Sequence, residues 1–252
     1  HDLLTFWKGH CTYNIVLEET PEEIRRVIPT EQWKTQPVPA SPIIRMAGAY
    51  VNYDHLLQVG ICGLEDEIRS ARKTAQEQER DVVIYDCMLG ALEVLKDVCR
   101  HYQAQASQLA QNAATPQRRR EMQDLAAALE QITKRAPQSM LEAIQLAWLY
   151  SMMAQLIEFG RMDVYLGDFY CHDIDNGIIT EAQALRMVQS FYRLVDHLDC
   201  DTDGRVIVGG YGRRNPENAD RFCMVAIEAC RTVREILPQF TLRFNRETPK
   251  EV

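Results

Sequence analysis

The 252-residue chain is 46% hydrophobic and 25% charged, which is the balance of a folded globular protein and excludes a disordered one. Its 28 Lys and Arg residues stand against 36 Asp and Glu residues, and the resulting net charge of −8 argues against a nucleic-acid partner. The most apolar stretch, residues 140–157, includes Glu142, Gln145 and Gln155, which favours a buried helix over a membrane span.

Residues 1–50 contain five prolines, and we predict an irregular amino-terminal segment there. Within it, Tyr13–Leu17 is a candidate strand, and Thr20-Pro21 is a helix start followed by two acidic residues. Residues 51–252 form a second, helix-rich domain. Its apolar periodicity predicts helices at about 52–79, 81–110, 115–135, 138–158, 180–198 and 216–236.

Three of these helices have recognisable starts, at Thr115-Pro116, at Asn215-Pro216 and at the capping box formed by Thr180 and Gln183. Two short strands are predicted, at Val206–Val208 and along the alternating residues 240–244. The pattern indicates a helix-dominated α/β fold. Isolated strands need partners, so we expect this sequence to be a piece of a longer protein.

One local motif resembles a calcium loop. Asp199, Asp201 and Asp203 occupy its first, third and fifth positions and Gly204 its sixth, but Gly210 stands where the loop needs a bidentate Glu. A calcium-binding protein built on Asp199–Gly204 is therefore an alternative hypothesis. A second alternative is a helical interaction module without catalysis.

Other candidate sites are weaker. Cys171-His172-Asp173 cannot form a catalytic triad, because adjacent residues do not converge on one point. The six His residues lack metal-ligand spacing, so we predict no metal site.

The eight Cys residues contain no CxxC pair and indicate reduced, mostly buried thiols of a cytoplasmic protein. Arg161 and Asp163 indicate an internal ion pair. Arg45, in a loop before a helix, is a candidate anion ligand, whereas its local sequence alone favours a structural arginine.

Several segments carry a family resemblance when they are taken in order. They are Arg45-Met-Ala-Gly48, Asn52-Tyr53, Gly60-Ile61-Cys62-Gly63, Glu142-Ala143-Ile144-Gln145 after Pro137, Gly160-Arg161-Met-Asp163, Phe169-Tyr170, Asp173-Ile-Asp-Asn176-Gly177 and Val208-Gly209-Gly210. Over about residues 43–252 the order and spacing resemble the amino-terminal part of glycyl radical enzymes of the pyruvate formate-lyase type. Three positions depart from the family pattern: Ala49 replaces its His, Val164 its Gln and Asp168 its Pro.

The resemblance implies a fragment of the ten-stranded α/β barrel of these enzymes, incomplete at its carboxyl terminus. In the family a glycyl radical generates a cysteine thiyl radical that attacks a small polar substrate, which gives lyase, dehydratase or formate acetyltransferase activity in anaerobic metabolism. Neither the cysteine loop nor the glycine loop of the family occurs here, so we expect no catalytic residue and an inactive fragment.

The resemblance further implies substrate binding by Arg45, Tyr50 and Asn52, with Arg45 on a carboxylate or other anionic group, and structural support by Arg161 and Asp163. The cofactor of the whole enzyme would be its own glycyl radical. An activating enzyme that uses S-adenosylmethionine and an iron–sulfur cluster would install it. The whole enzyme would be a homodimer.

Overall fold

The computed structural model describes residues 20–27, 51–154, 158–197, 204–246 and 248–250. The chain divides into two units, His1–Ala49 and Tyr50–Val252. In the first unit the described residues form the short helix α1 (Glu22–Val27), at the start predicted from Thr20-Pro21. The predicted strand Tyr13–Leu17 lies outside the described residues.

In the second unit the described residues are mostly helical. In chain order the elements are α2 (Tyr53–Glu77), α3 (Val83–Gln111), α4 (Pro116–Ile132), α5 (Met140–Ala154), β1 (Gly160–Arg161), α6 (Met162–Asp175), α7 (Glu181–His197), β2 (Val206–Gly209), α8 (Pro216–Val233) and β3 (Phe240–Arg243). The helix-dominated α/β class is as predicted. Among the described residues, no helix is both long enough and apolar enough to span a membrane.

The six predicted helices agree with α2–α5, α7 and α8 to within a few residues, and both predicted carboxyl-terminal strands are present as β2 and β3. Helix α6 and strand β1 were not predicted. Residues on all sides of α6 are buried, including Asp163, Gly167 and Asp173, so its sequence shows no polar face with helical spacing. Cys171-His172-Asp173 therefore lies within a helix that was not predicted.

Helix starts follow the predicted chemistry at two positions. Thr115 Oγ1 accepts the N–H of Arg118 at 3.1 Å. Thr180 and Gln183 form a reciprocal capping box, in which the N–H of Thr180 donates to Gln183 Oε1 at 2.8 Å. Asn215 precedes α8 as predicted, but its side chain makes no capping hydrogen bond.

The three strands form one parallel sheet in the order β1-β2-β3. Gly160 pairs with Val206, and Val206 pairs with Phe240. Parallel neighbours need crossover connections, which α6 and α7 provide between β1 and β2 and α8 provides between β2 and β3. Val206 and Val208 of the central strand are fully buried beneath these helices.

Helix α2 changes direction at Gly60, which has a φ of 68° inside the otherwise helical segment. A Cβ at this position would lie 2.6 Å from Ala136 Cα. Glycine is required here for two reasons, the positive φ and the close approach of the chain that leads into α5. The sequence predicted an uninterrupted helix over this stretch, and the interruption is a tertiary effect.

We predict that Gly60→Ala lowers the free energy of unfolding by about 2–4 kcal/mol, since it adds left-handed strain to a backbone clash. Gly90→Ala is the matched control. Gly90 also lies within a long helix, a methyl group added there would have no other residue within 4 Å, and Ala should stabilise by about 0.5–1 kcal/mol. Urea unfolding of both variants measures the difference, and similar values would contradict the steric account.

Candidate functional site

Tyr53 anchors the start of α2 in the protein interior. Its ring is 2% exposed and lies 4.9 Å, between centroids, from the ring of Tyr165. Its hydroxyl lies 2.7 Å from Ser151 Oγ and 3.2 Å from the carbonyl oxygen of Glu158. Each of the two hydroxyls also has a backbone carbonyl to which it can donate, Glu158 for Tyr53 and Ala147 for Ser151. Burial raises the pKa of Tyr53 to about 12.

Asn52, one of the predicted substrate ligands, is exposed at the amino terminus of α2. Its Oδ1 accepts the N–H of His55 at 3.2 Å and so caps the helix. Within the described part of the chain its amide nitrogen donates no hydrogen bond and can serve a ligand. Arg45 and Tyr50, the other two predicted ligands, lie outside the described residues, so their roles stay predictions.

Asp163 lies where the carboxyl ends of β1 and β2 meet, and its side chain is inaccessible to solvent. Its Oδ2 accepts the backbone N–H of Gly209 at 2.9 Å, and its Oδ1 lies 3.4 Å from Arg161 Nε. Burial raises the pKa of Asp163, while the Arg161 charge and the Gly209 N–H oppose that shift. The Arg161–Asp163 pair expected from the sequence is thus present as a contact between β1 and α6.

Arg161 also reaches the turn that follows β2, where its Nη1 donates to the carbonyl of Tyr211 at 3.1 Å. Its Nη2 is buried and has no hydrogen-bond partner among the described residues. The turn itself needs glycine, because a Cβ on Gly209 would lie 2.3 Å from the Arg243 carbonyl oxygen on β3. The family-like Gly-Gly pair therefore allows β2 and β3 to lie close together.

Sequence reasoning missed two residues of this turn, Arg213 and Arg214. The Arg213 side chain is 6% exposed and pairs with Asp220 of α8. Arg214 bridges Asp54 of α2 and Asp168 of α6. A signal was available: two cations directly before a helix oppose its dipole, so they need acidic partners elsewhere.

The three buried cysteines are not activated nucleophiles. All six described cysteines are free thiols, and three of them, Cys99, Cys171 and Cys223, are buried within helices. Burial raises the pKa of Cys99 and Cys171 to about 11 and that of Cys223 to about 12, so their thiolates are disfavoured.

Cys171-His172-Asp173 lies on α6 and does not form a catalytic set. Asp173 is buried, and its Oδ2 accepts the N–H of Met140 at 2.8 Å, which caps α5. Its Oδ1 lies 3.0 Å from His172 Nδ1. The Asp173 carboxylate therefore joins α6 to the start of α5.

Two of the predictions concern metal ions. The structure describes no group of three or more His, Cys, Asp or Glu residues placed to hold a metal ion in the ranges given above. The calcium-loop residues Asp199, Asp201 and Asp203 lie outside those ranges, so the calcium alternative stays untested.

Comparison with known proteins bears directly on the family resemblance. The family model described as pyruvate formate lyase-like matches residues 1–252, the whole chain. The chain belongs to the pyruvate formate lyase-like family. The resemblance to glycyl radical enzymes stated from the sequence is confirmed.

Two curated relatives illustrate the match. The (2S)-3-sulfopropanediol dehydratase of Klebsiella oxytoca is 26% identical over 80% of this chain and 27% of its own length. The probable dehydratase YbiW of Escherichia coli (strain K12) is 22% identical over 97% of this chain and 33% of its own. The chain thus spans between about a quarter and a third of the relatives that it matches.

Two solved structures share the fold. The glycerol-bound B12-independent glycerol dehydratase from Clostridium butyricum superposes with a TM-score of 0.74 at 20% identity, over 99% of this chain and 34% of that one. A glycyl radical enzyme from Archaeoglobus fulgidus superposes with a TM-score of 0.67 at 21% identity, over 80% of this chain and 29% of that one.

The Tyr53 anchor makes a testable contribution to stability. The unfolded tyrosine ionises near pH 10.0 and the folded one near 12, so the stability due to the neutral hydroxyl is complete below pH 10 and is lost between pH 10 and 12. We predict that Tyr53→Phe costs about 1 kcal/mol at pH 8 and that the wild type loses about 1 kcal/mol more than the variant between pH 8 and 11.

Urea unfolding at the two pH values measures this difference. Tyr211→Phe is the control, since Tyr211 is 61% exposed. Parallel pH profiles for wild type and Tyr53→Phe would show that the hydroxyl is not buried in the native protein.

Proposed function

We propose that this chain is the amino-terminal part of a glycyl radical dehydratase or lyase that acts on a small polar substrate with an anionic group. The observation that carries the proposal is the family match over the whole chain, together with coverage of only about a third of the relatives. Dehydratases and lyases are favoured over formate acetyltransferase because the named relatives include a sulfopropanediol dehydratase and an isethionate sulfite-lyase.

In this proposal the hydrogen abstraction is supplied by a glycyl radical and a cysteine thiyl radical. The residues that carry them would lie outside the present sequence, and an S-adenosylmethionine and iron–sulfur activating enzyme would install the glycyl radical. Among the described cysteines, the buried helical thiols do not match such a role. The present chain would contribute substrate binding and a scaffold, and the fragment alone would be inactive. The whole enzyme would be a cytoplasmic homodimer of anaerobic metabolism.

Substrate binding is assigned to the segment that leads into α2. Arg45 would pair with the anionic group, and Tyr50 and Asn52 would contribute hydrogen bonds. Asn52 is suited to this because its amide nitrogen is exposed while its oxygen caps the helix. A guanidinium binds carboxylate and sulfonate oxygens in the same forked geometry, which makes either group suitable.

We predict that the complete native polypeptide forms a glycyl radical. Peptide mapping past residue 252 should find a Gly-Cys peptide and an Arg-Val-x-Gly peptide. After anaerobic activation, electron paramagnetic resonance should detect the radical. The proposal would be contradicted if the native polypeptide lacked one of these two peptides or formed no radical.

We also predict that the substrate carries an anionic group. Activated enzyme is assayed with (2S)-3-sulfopropanediol, isethionate, trans-4-hydroxy-L-proline and glycerol, of which only glycerol lacks an anionic group. We expect turnover of an anionic member. Arg45→Ala should raise its KM by about ten- to a hundredfold, since a charge-assisted hydrogen bond is lost, with little effect on folding. Arg119→Ala, an exposed position on α4, is the control. An unchanged KM would exclude this role for Arg45.

A further inference from the structure

Arg214 connects three elements of the second unit. It lies between β2 and α8, and its Nη1 donates to Asp54 Oδ1 at 2.6 Å while its Nη2 donates to Asp168 Oδ2 at 2.9 Å. Asn218 of α8 donates to the other oxygen of Asp168 at 2.8 Å. One guanidinium thus links the first turn of α2 to α6. We call this arrangement the Arg214 clasp.

The clasp contacts the first turn of α2, beside Tyr53 and Asn52. Asp54 follows Tyr53, the buried anchor, and comes two residues after Asn52. Neighbouring residues on a helix point about 100° apart, so Tyr53 holds the inner side of the first turn while Asp54 holds its outer side. Two contacts in different directions restrict both the position and the rotation of the turn.

Asp168 is one of the positions at which this sequence departs from the family pattern, where proline is usual. Proline has no side-chain acceptor, so it could not complete the bridge. Partial burial works to raise the pKa of Asp168, but hydrogen bonds from Asn218 and Arg214 hold it below its usual value. The carboxylate is therefore ionised at neutral pH and available to the guanidinium.

We propose that Arg214 is a positioning residue that holds the first turn of α2 and, with it, Asn52, which is one of the proposed substrate ligands. The role in substrate binding rests on the function proposed above. The three charged side chains are between one third and one half exposed, so the clasp contributes little to global stability. Its effect is on local opening of the turn, which amide hydrogen exchange measures.

The test compares two ion-pair deletions in the complete native polypeptide. Arg214→Ala removes the clasp. Arg221→Ala is the matched control. Arg221 lies on α8 and forms an ion pair with two hydrogen bonds to Asp175 of α6, and this pair does not involve α2. We expect the hydrogen-bonded amides 55–57 to exchange about two- to tenfold faster in Arg214→Ala and at the wild-type rate in Arg221→Ala.

Two further variants test whether the two ion pairs of the Arg214 clasp cause the slow exchange of the first turn. Arg214→Lys should not restore slow exchange, because one ammonium group cannot match the fork that reaches both carboxylates. Asp54→Asn should accelerate exchange, and combining it with Arg214→Ala should add little, since both remove the same contact. Full additivity in the double variant, or unchanged exchange in Arg214→Ala, would overturn the clasp.

The positioning role has a separate readout in the activated enzyme. With the substrate found in the panel above, Arg214→Ala should raise KM about two- to tenfold and change kcat less than about twofold. Faster exchange without a rise in KM would overturn the positioning role. If no radical forms or no panel compound reacts, the proposed function fails, whereas the exchange experiment still decides whether the clasp exists.

Discussion

The inaccessible carboxylate of Asp163 joins the sheet to its helices. It lies at the start of α6, directly after β1, and accepts the N–H of Gly209 at the end of β2. Losing the carboxylate would leave the buried Gly209 N–H without its acceptor and would remove the contact with Arg161 Nε. The same Gly209 approaches β3 so closely that a side chain is excluded. All three strands therefore depend on this one contact region.

The start of α2 is joined to the same region. Tyr165 of α6 donates to the carbonyl of Phe159 and contacts the ring of Tyr53, while Tyr53 reaches the carbonyl of Glu158. The segment before β1 thus receives hydrogen bonds from both α2 and α6. Three family-like residues, Tyr53, Gly60 and Asp163, each lie at a junction between elements. The exposed Asn52 differs from them, because its side-chain amide nitrogen donates no hydrogen bond among the described residues.

Much of the fold was predictable because periodicity and capping are local signals. The starts at Thr115 and Thr180 needed only adjacent residues. Helix α6 was missed because it is buried on all sides, so its sequence lacks the alternation of apolar and polar faces from which helices are predicted. The Gly60 interruption depends on Ala136 and leaves no local signal. The cations before α8 indicate a need for acidic partners, but Asp54 and Asp168, the partners of Arg214, lie far away along the chain and cannot be identified locally. For the site, the family resemblance identified the segment before α2, while the structure describes only its last residues.

The parallel sheet has a consequence for synthesis of the chain. Its registers join residue 160 to 206 and residue 206 to 240, with a helical crossover in each interval. Such non-local pairings form late, whereas α3 and α4 are joined by only residues 112–115 and form a local hairpin. During translation we expect this hairpin to fold on the ribosome first. Strand β2 stays without its second neighbour until residue 243 of β3 has emerged, and in that interval its exposed edge is a target for chaperones.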